Sequence, residues 1–224
     1  MGSKNVRFDW TSADVVSLMA RGSERQQRAL RAIRCARVFE LLADYSPFLA
    51  GSVPLGVDLP ERSDLDFLCA FQEGDAEGFA GALGTCFGHH PEFKCSLERY
   101  EGWETVCCGF RYLGEIFEFF AQARPVSEQD GYRHLVIEAG LLDLMGDAGR
   151  SRIREMKRGG LKTVPAIATA FGLPGDPYDA LLEIYAVGSS SADTFVDLEN
   201  VLREMWRAGL RNLNEMSAPR AEAR

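Results

Sequence analysis

The chain has 224 residues, 46% hydrophobic and 26% charged, which suits one large or two small globular domains and excludes wholesale disorder. A net charge of -8 excludes the basic field of a sequence-independent nucleic-acid binder, though not a local basic groove. No apolar run approaches a membrane span, and residues 1–10 lack the apolar core of a secretory signal, so a reducing, cytoplasmic setting is expected; several of the six cysteines, such as Cys69 after Phe67-Leu68, lie in apolar patterns and read as small buried hydrophobes.

In chain order, residues 11–22 and 24–45 are predicted helices, the second with Leu30, Ile33, Val38, Leu41 and Leu42 at helical spacing and its arginines outward. Phe48-Leu49-Ala50 is a short apolar run leading into Gly51-Ser52, and Pro54 and Pro60 keep the next segment irregular. A strand is expected over 63–71 and an amphipathic helix over 75–83. Three further strands follow at 93–99, 105–112 and 115–122, with Leu113-Gly114 as a tight hairpin turn. After Pro125 the pattern turns helical: 131–145, 151–158, 163–171, 178–187 and 191–213, with a frayed tail at 217–224. The expected organisation is a mixed α/β core with N-terminal helices over 1–125 and a helical region over 126–216.

Chemistry concentrates at Gly51-Ser52 and, after eleven intervening residues, Asp64-Leu65-Asp66. On a strand both aspartates point one way, and two adjacent carboxylates repel unless a cation lies between them. Mg²⁺ is the natural cation for hard oxygen donors, and it brings a triphosphate with it. Gly51 lets the backbone approach a phosphate, and the Ser52 hydroxyl and amide can donate to it. A two-metal site needs a third acid, and Glu118 is the candidate. It stands in Ile116-Phe117-Glu118-Phe119-Phe120, sharing a strand face with Ile116 and Phe120, where a charge needs a partner. Glu115 is the fallback, and an ion pair with Arg111 is the plainer role for Glu118. Lys162, at a predicted helix start, is a candidate phosphate contact or a solvated lysine. Lys157, Arg158, Arg133 and His134 are weaker candidates.

Gly84-Thr85-Cys86-Phe87-Gly88 imitates a nucleophile elbow, but a helix precedes it and Pro91 follows, so its context is wrong. Cys86, His89, His90 and Cys95 form a second possibility, a zinc loop, although their spacing matches no standard finger.

Ala50-Gly51-Ser52 with Ser63-Asp64-Leu65-Asp66-Phe67-Leu68 resembles the signature of the nucleotidyltransferase superfamily, with its polymerase-beta-like fold. Gly51-Ser52-Val53-Pro54-Leu55-Gly56, Phe117-Glu118-Phe119-Phe120-Ala121-Gln122, Tyr132-Arg133-His134 and Gly160-Leu161-Lys162-Thr163 further resemble a family of small bacterial nucleotidyltransferase-like proteins of unassigned function. The resemblance spans most of the chain. It implies a short mixed sheet flanked by helices, acids on adjacent strands, and a helical C-terminal region completing the cleft.

The expected activity is transfer of a nucleoside monophosphate from a nucleoside triphosphate, with two Mg²⁺ ions and release of pyrophosphate. Asp64, Asp66 and Glu118 carry the metals and the chemistry, while Gly51, Ser52 and Lys162 hold phosphates. The acidic surface favours a small-molecule or protein acceptor over a long nucleic acid. The alternative is a catalytically inactive nucleotide-binding sensor or regulatory partner.

Overall fold

Two helices begin on reciprocal caps. Thr11 and Asp14 cap α1 (Ser12–Ala20), and Ser23 and Gln26 cap α2 (Glu24–Ala36), each side chain satisfying the other residue's amide. The computed structural model describes residues 8–190, 200, 202–204 and 206–207. The expected helix over 24–45 is broken. Arg37 takes a left-handed conformation (φ 53°) and closes α2; a four-residue α3 (Val38–Leu41) follows, then a single 3₁₀ turn at Ala43–Tyr45. The break turns Val38 and Leu42 fully into the core. A non-glycine residue in that conformation leaves no signature in the sequence.

Five strands form one mixed sheet in the order β1-β2-β5-β4-β3. They are β1 (Phe48–Leu49), β2 (Leu65–Ala70), β3 (Lys94–Tyr100), β4 (Trp103–Tyr112) and β5 (Glu115–Gln122). The pair β2–β5 is parallel, and β1–β2, β3–β4 and β4–β5 are antiparallel. Leu113 (φ 51°) and Gly114 (φ 79°) make the tight turn between β4 and β5. Between β2 and β3 runs α4 (Ala76–Phe87), burying Phe79, Leu83 and Phe87.

One sheet face is closed by aromatic rings. Phe67, Phe117, Phe119, Phe110 and Phe87 are all buried. Ring centroids lie 5.3 Å apart for Phe67–Phe119, 4.8 Å for Phe110–Phe117 and 4.9 Å for Phe87–Phe110. The four of these on strands, Phe67, Phe110, Phe117 and Phe119, alternate with the residues of the opposite, open face, so the phenylalanine layer dictates which side chains the open face presents.

The chain divides into two units, Asp9–Val136 and Ile137–Arg224 with Met1–Phe8. The first contains the sheet, α1 to α4 and the start of α5 (Asp130–Arg158). Within α5, Gly146 departs from helical geometry (φ 64°, ψ -163°), which separates the two helices expected at 131–145 and 151–158. The second unit also holds α6 (Thr163–Phe171) and α7 (Pro177–Ser190). Most of the helix expected at 191–213, and the 217–224 tail, lie outside the described residues. The fold is thus the expected one: a short mixed sheet flanked by helices, followed by a helical C-terminal region. Among the described residues no helix is long and apolar enough to cross a membrane.

Candidate active site

Residues opposite one another in adjacent strands share a sheet face, so the register can be read across the open face as a row. Asp66 on β2 pairs with Glu118 on β5, Glu118 with Gly109 on β4, and Gly109 with Lys94 on β3. Asp64, two residues before Asp66 and one before the strand starts, adds a third carboxylate. Glu118 is solvent-exposed at the residue level. It is therefore not the buried charge that its apolar run suggests; Phe117 and Phe119 take the core and leave Glu118 on the open side.

The acids feel one another. The Glu118 carboxyl is held above its ordinary value by partial burial and then by the charge of Asp64. Partial burial also raises Asp64, against the opposing pull of the Arg111 guanidinium. Cys107, on the same face and opposite Phe120, has its thiol pushed up to about 12 by burial, by a hydrogen bond to Glu98, and by the charges of Glu98 and Glu118. It is a neutral wall of the site, not a nucleophile.

Gly51 lies directly against these acids. The Ala50 amide donates to the Asp66 carbonyl at 2.8 Å, drawing the turn after β1 alongside β2. Gly51 adopts φ 75°, and a Cβ built there would stand 1.9 Å from Asp66 Oδ2. Only glycine meets both conditions. Among the described residues, neither the Gly51 nor the Ser52 amide has a protein acceptor. The Ser52 hydroxyl lies 3.3 Å from that of Ser63, which itself accepts the Leu59 amide, so the 51–63 loop is closed upon itself.

Beneath this loop is an ionic anchor. Arg25 of α2 donates twice to Glu115, each bond 2.7 Å, and its Nε lies 3.4 Å from Asp58. The three side chains are nearly buried. Gln26 donates to the Pro54 carbonyl at 2.8 Å. Glu115, the fallback third acid, therefore faces away from Asp64 and Asp66 and is consumed structurally. The Arg111–Glu118 pair is also replaced: Arg111 Nε binds Glu92 at 2.8 Å. Arg133 pairs with Asp130 in its own helix at 3.6 Å. Lys162 is an exposed residue preceding α6 in the other unit. Sequence reasoning missed Arg25, Asp58, Lys94 and Gly109, because their roles depend on register and tertiary pairing.

The open face carries a cleft of about 570 Å³, lined by Asp66, Glu118, Gly109, Lys94, Arg111 and Ser96 among others. Among the described residues, no three His, Cys, Asp or Glu side chains are gathered into a cage that would enclose a metal ion as they stand. The donor set nonetheless fits Mg²⁺. It is all hard carboxylate oxygen on one face, and a divalent cation would relieve the Asp64–Glu118 repulsion that adds to burial in raising Glu118. The zinc loop dissolves, because Cys95 is joined to Cys108, its register partner across β3 and β4, in a disulfide. His90 stacks instead on Phe110 at 4.8 Å.

The model of a family described as a domain of unknown function, DUF4269, matches residues 31–184, more than half of the chain. The chain belongs to the DUF4269 family. The DUF4269 match takes in the Gly51-Ser52 turn, all three acids of the open face, Glu115 and the cleft residues of β3 and β4; Arg25 lies just ahead of it. No curated protein matches the sequence. Among solved structures, the DUF4269 chain is similar to a chain of the GLD-2/RNP-8 complex, with 12% identity and a TM-score of 0.45 over 80% of this chain and 66% of that one. It is also similar to the Cid1 poly(U) polymerase bound to MgGTP, with 10% identity and a TM-score of 0.48 over 77% of this chain and 54% of that one. For mtPAP in complex with UTP the values are 13%, 0.39, 79% and 41%. The DUF4269 chain thus spans between two fifths and two thirds of these proteins' lengths, and likeness at this level assigns it no activity.

Proposed function

We propose that this chain is a Mg²⁺-dependent nucleotidyltransferase of the polymerase-beta-like superfamily, moving a nucleoside monophosphate from a nucleoside triphosphate to an acceptor hydroxyl. One observation carries the reading: Asp66 and Glu118 are register partners on the open face, with Asp64 beside them and Gly51 packed against the Asp66 carboxylate. Phosphate needs donors as well as acids, and the Gly51 and Ser52 amides with the Ser52 hydroxyl supply them for the β and γ phosphates.

Two Mg²⁺ ions held by Asp64, Asp66 and Glu118 would neutralise the triphosphate and lower the pKa of the acceptor hydroxyl. Glu118 takes the hydroxyl proton as general base, from its place on the open face beside Asp66. The acceptor oxygen bonds to the α-phosphorus, the α–β bridging bond breaks, and pyrophosphate leaves with the bridging oxygen. Arg25 does not touch the reactants. It holds the Gly51-Ser52 loop and the start of β5 at a set separation through Asp58 and Glu115.

The test is incubation of the purified chain with Mg²⁺, each α-labelled nucleoside triphosphate and a deproteinised cell extract as acceptor pool. Mg²⁺-dependent pyrophosphate release and label transfer are expected, falling at least about 100-fold in Asp66→Asn. Nucleotide binding with no turnover on any pool would instead make this chain a nucleotide-binding regulator.

A further inference from the structure

The row that begins with the acids does not end with them. It runs Asp66, Glu118, Gly109, Lys94 across four strands. Neighbouring strands lie about 4.8 Å apart, so Lys94 stands roughly 10 Å from Glu118 along the row. Between them Gly109 contributes no side chain. A Cβ there would meet the Phe117 carbonyl oxygen at 3.1 Å and Glu118 Cγ at 3.9 Å, so even a methyl group would press on the floor beside Glu118. The result is a trough floored by Gly109, walled by Arg111 on one side and by Cys107 and Ser96 on the other.

The trough's two ends differ in charge. Its acidic end faces the Gly51-Ser52 turn, where the triphosphate would lie. At the far end is Lys94, which is exposed and, among the described residues, makes no ion pair; Arg111 at the wall is engaged with Glu92. A lysine that makes no ion pair among the described residues, at the end of a cleft of small-molecule size, is an available counter-charge. Its distance from Glu118 acts as a ruler for what lies between.

Resting on the nucleotidyltransferase reading, we propose that the trough is the acceptor subsite, and that the acceptor is a small hydroxyl compound with an anionic group, phosphate or carboxylate, at its far end. Lys94 binds that anion and sets the acceptor's position; its hydroxyl lies at Glu118, which takes the proton as the oxygen bonds to the α-phosphorus and pyrophosphate departs. Lys94 is thus a specificity residue remote from the reacting atoms.

The experiment uses the full chain. A deproteinised cell extract is split by anion exchange into retained and unretained small molecules, and each fraction is offered with Mg²⁺ and labelled nucleoside triphosphate. Label is expected only in products of the retained fraction. Lys94→Glu should raise the KM for that fraction's acceptor at least tenfold and Lys94→Ala several-fold, with the KM for nucleoside triphosphate unchanged within twofold. Label from the unretained fraction, label from neither, or an acceptor KM indifferent to Lys94→Glu overturns the proposal. Mg²⁺-dependent binding of a non-hydrolysable nucleoside triphosphate is measured in parallel. Its absence in the unaltered chain sinks the underlying nucleotidyltransferase reading, whereas its presence with any of the contrary results sinks the acceptor proposal alone.

Discussion

At Gly51 two constraints coincide: positive φ, and a contact that leaves no room for a methyl group beside the Asp66 carboxylate. Gly51→Ala must therefore move either the turn or the carboxylate. We expect a stability loss of about 1–3 kcal/mol, read by denaturant unfolding, together with at least tenfold weaker Mg²⁺-dependent nucleotide binding. A variant with the stability loss but unaltered binding would confine Gly51 to a structural role. Glu118 and Asp64 give a pH signature. Both carboxyls are raised in the folded protein, so the folded state holds more protons than the unfolded chain just above the ordinary carboxylate values. Stability of the metal-free protein should then fall as pH rises from about 4 upward through the raised values. Glu118→Gln removes its share of that fall, so thermal unfolding followed against pH should show a shallower decline and a more stable protein at neutral pH. An unchanged profile would mean that the acids do not share a partly desolvated face.

The ionic contact of α2 with β5 and the 51–63 loop runs through a single guanidinium, that of Arg25. Arg25→Met leaves Glu115 nearly buried without its counter-charge and removes the Arg25 contact of Asp58, and should cost about 3–5 kcal/mol in chemical denaturation. Arg25→Met combined with Glu115→Met should recover part of the loss, since one stranded charge is removed with its partner. At this scale much was legible in the sequence. Strand β5 is legible at its full extent because alternating phenylalanines between two turns leave little choice of period, and the Gly-Ser turn and the acids stand out by spacing. What escaped reading is non-local. Arg37 breaks a continuous helical pattern without a glycine, and Glu115 resembles any turn-flanking acid until its partner on a distant helix is known. Lys94 and Gly109 join the Glu118 row only through strand register, which residue spacing does not encode.

For the whole molecule, the phenylalanine layer and the open face are two consequences of one alternation. Burying Phe67, Phe110, Phe117 and Phe119 on one side obliges Asp66, Gly109 and Glu118 to appear on the other. The net charge of -8 is therefore not spread indifferently: three acids lie on one face beside a turn whose amides have no acceptor among the described residues. That convergence is the central claim, and divalent-ion binding tests it most directly. Mn²⁺, a spectroscopic stand-in for Mg²⁺, is titrated into the protein by electron paramagnetic resonance with a non-hydrolysable nucleoside triphosphate present. Protein-dependent Mn²⁺ binding beyond that of the nucleotide alone is expected, lost in Asp66→Asn and weakened at least tenfold in Asp64→Asn and Glu118→Gln. Binding absent from the unaltered chain, or indifferent to all three substitutions, would contradict the account.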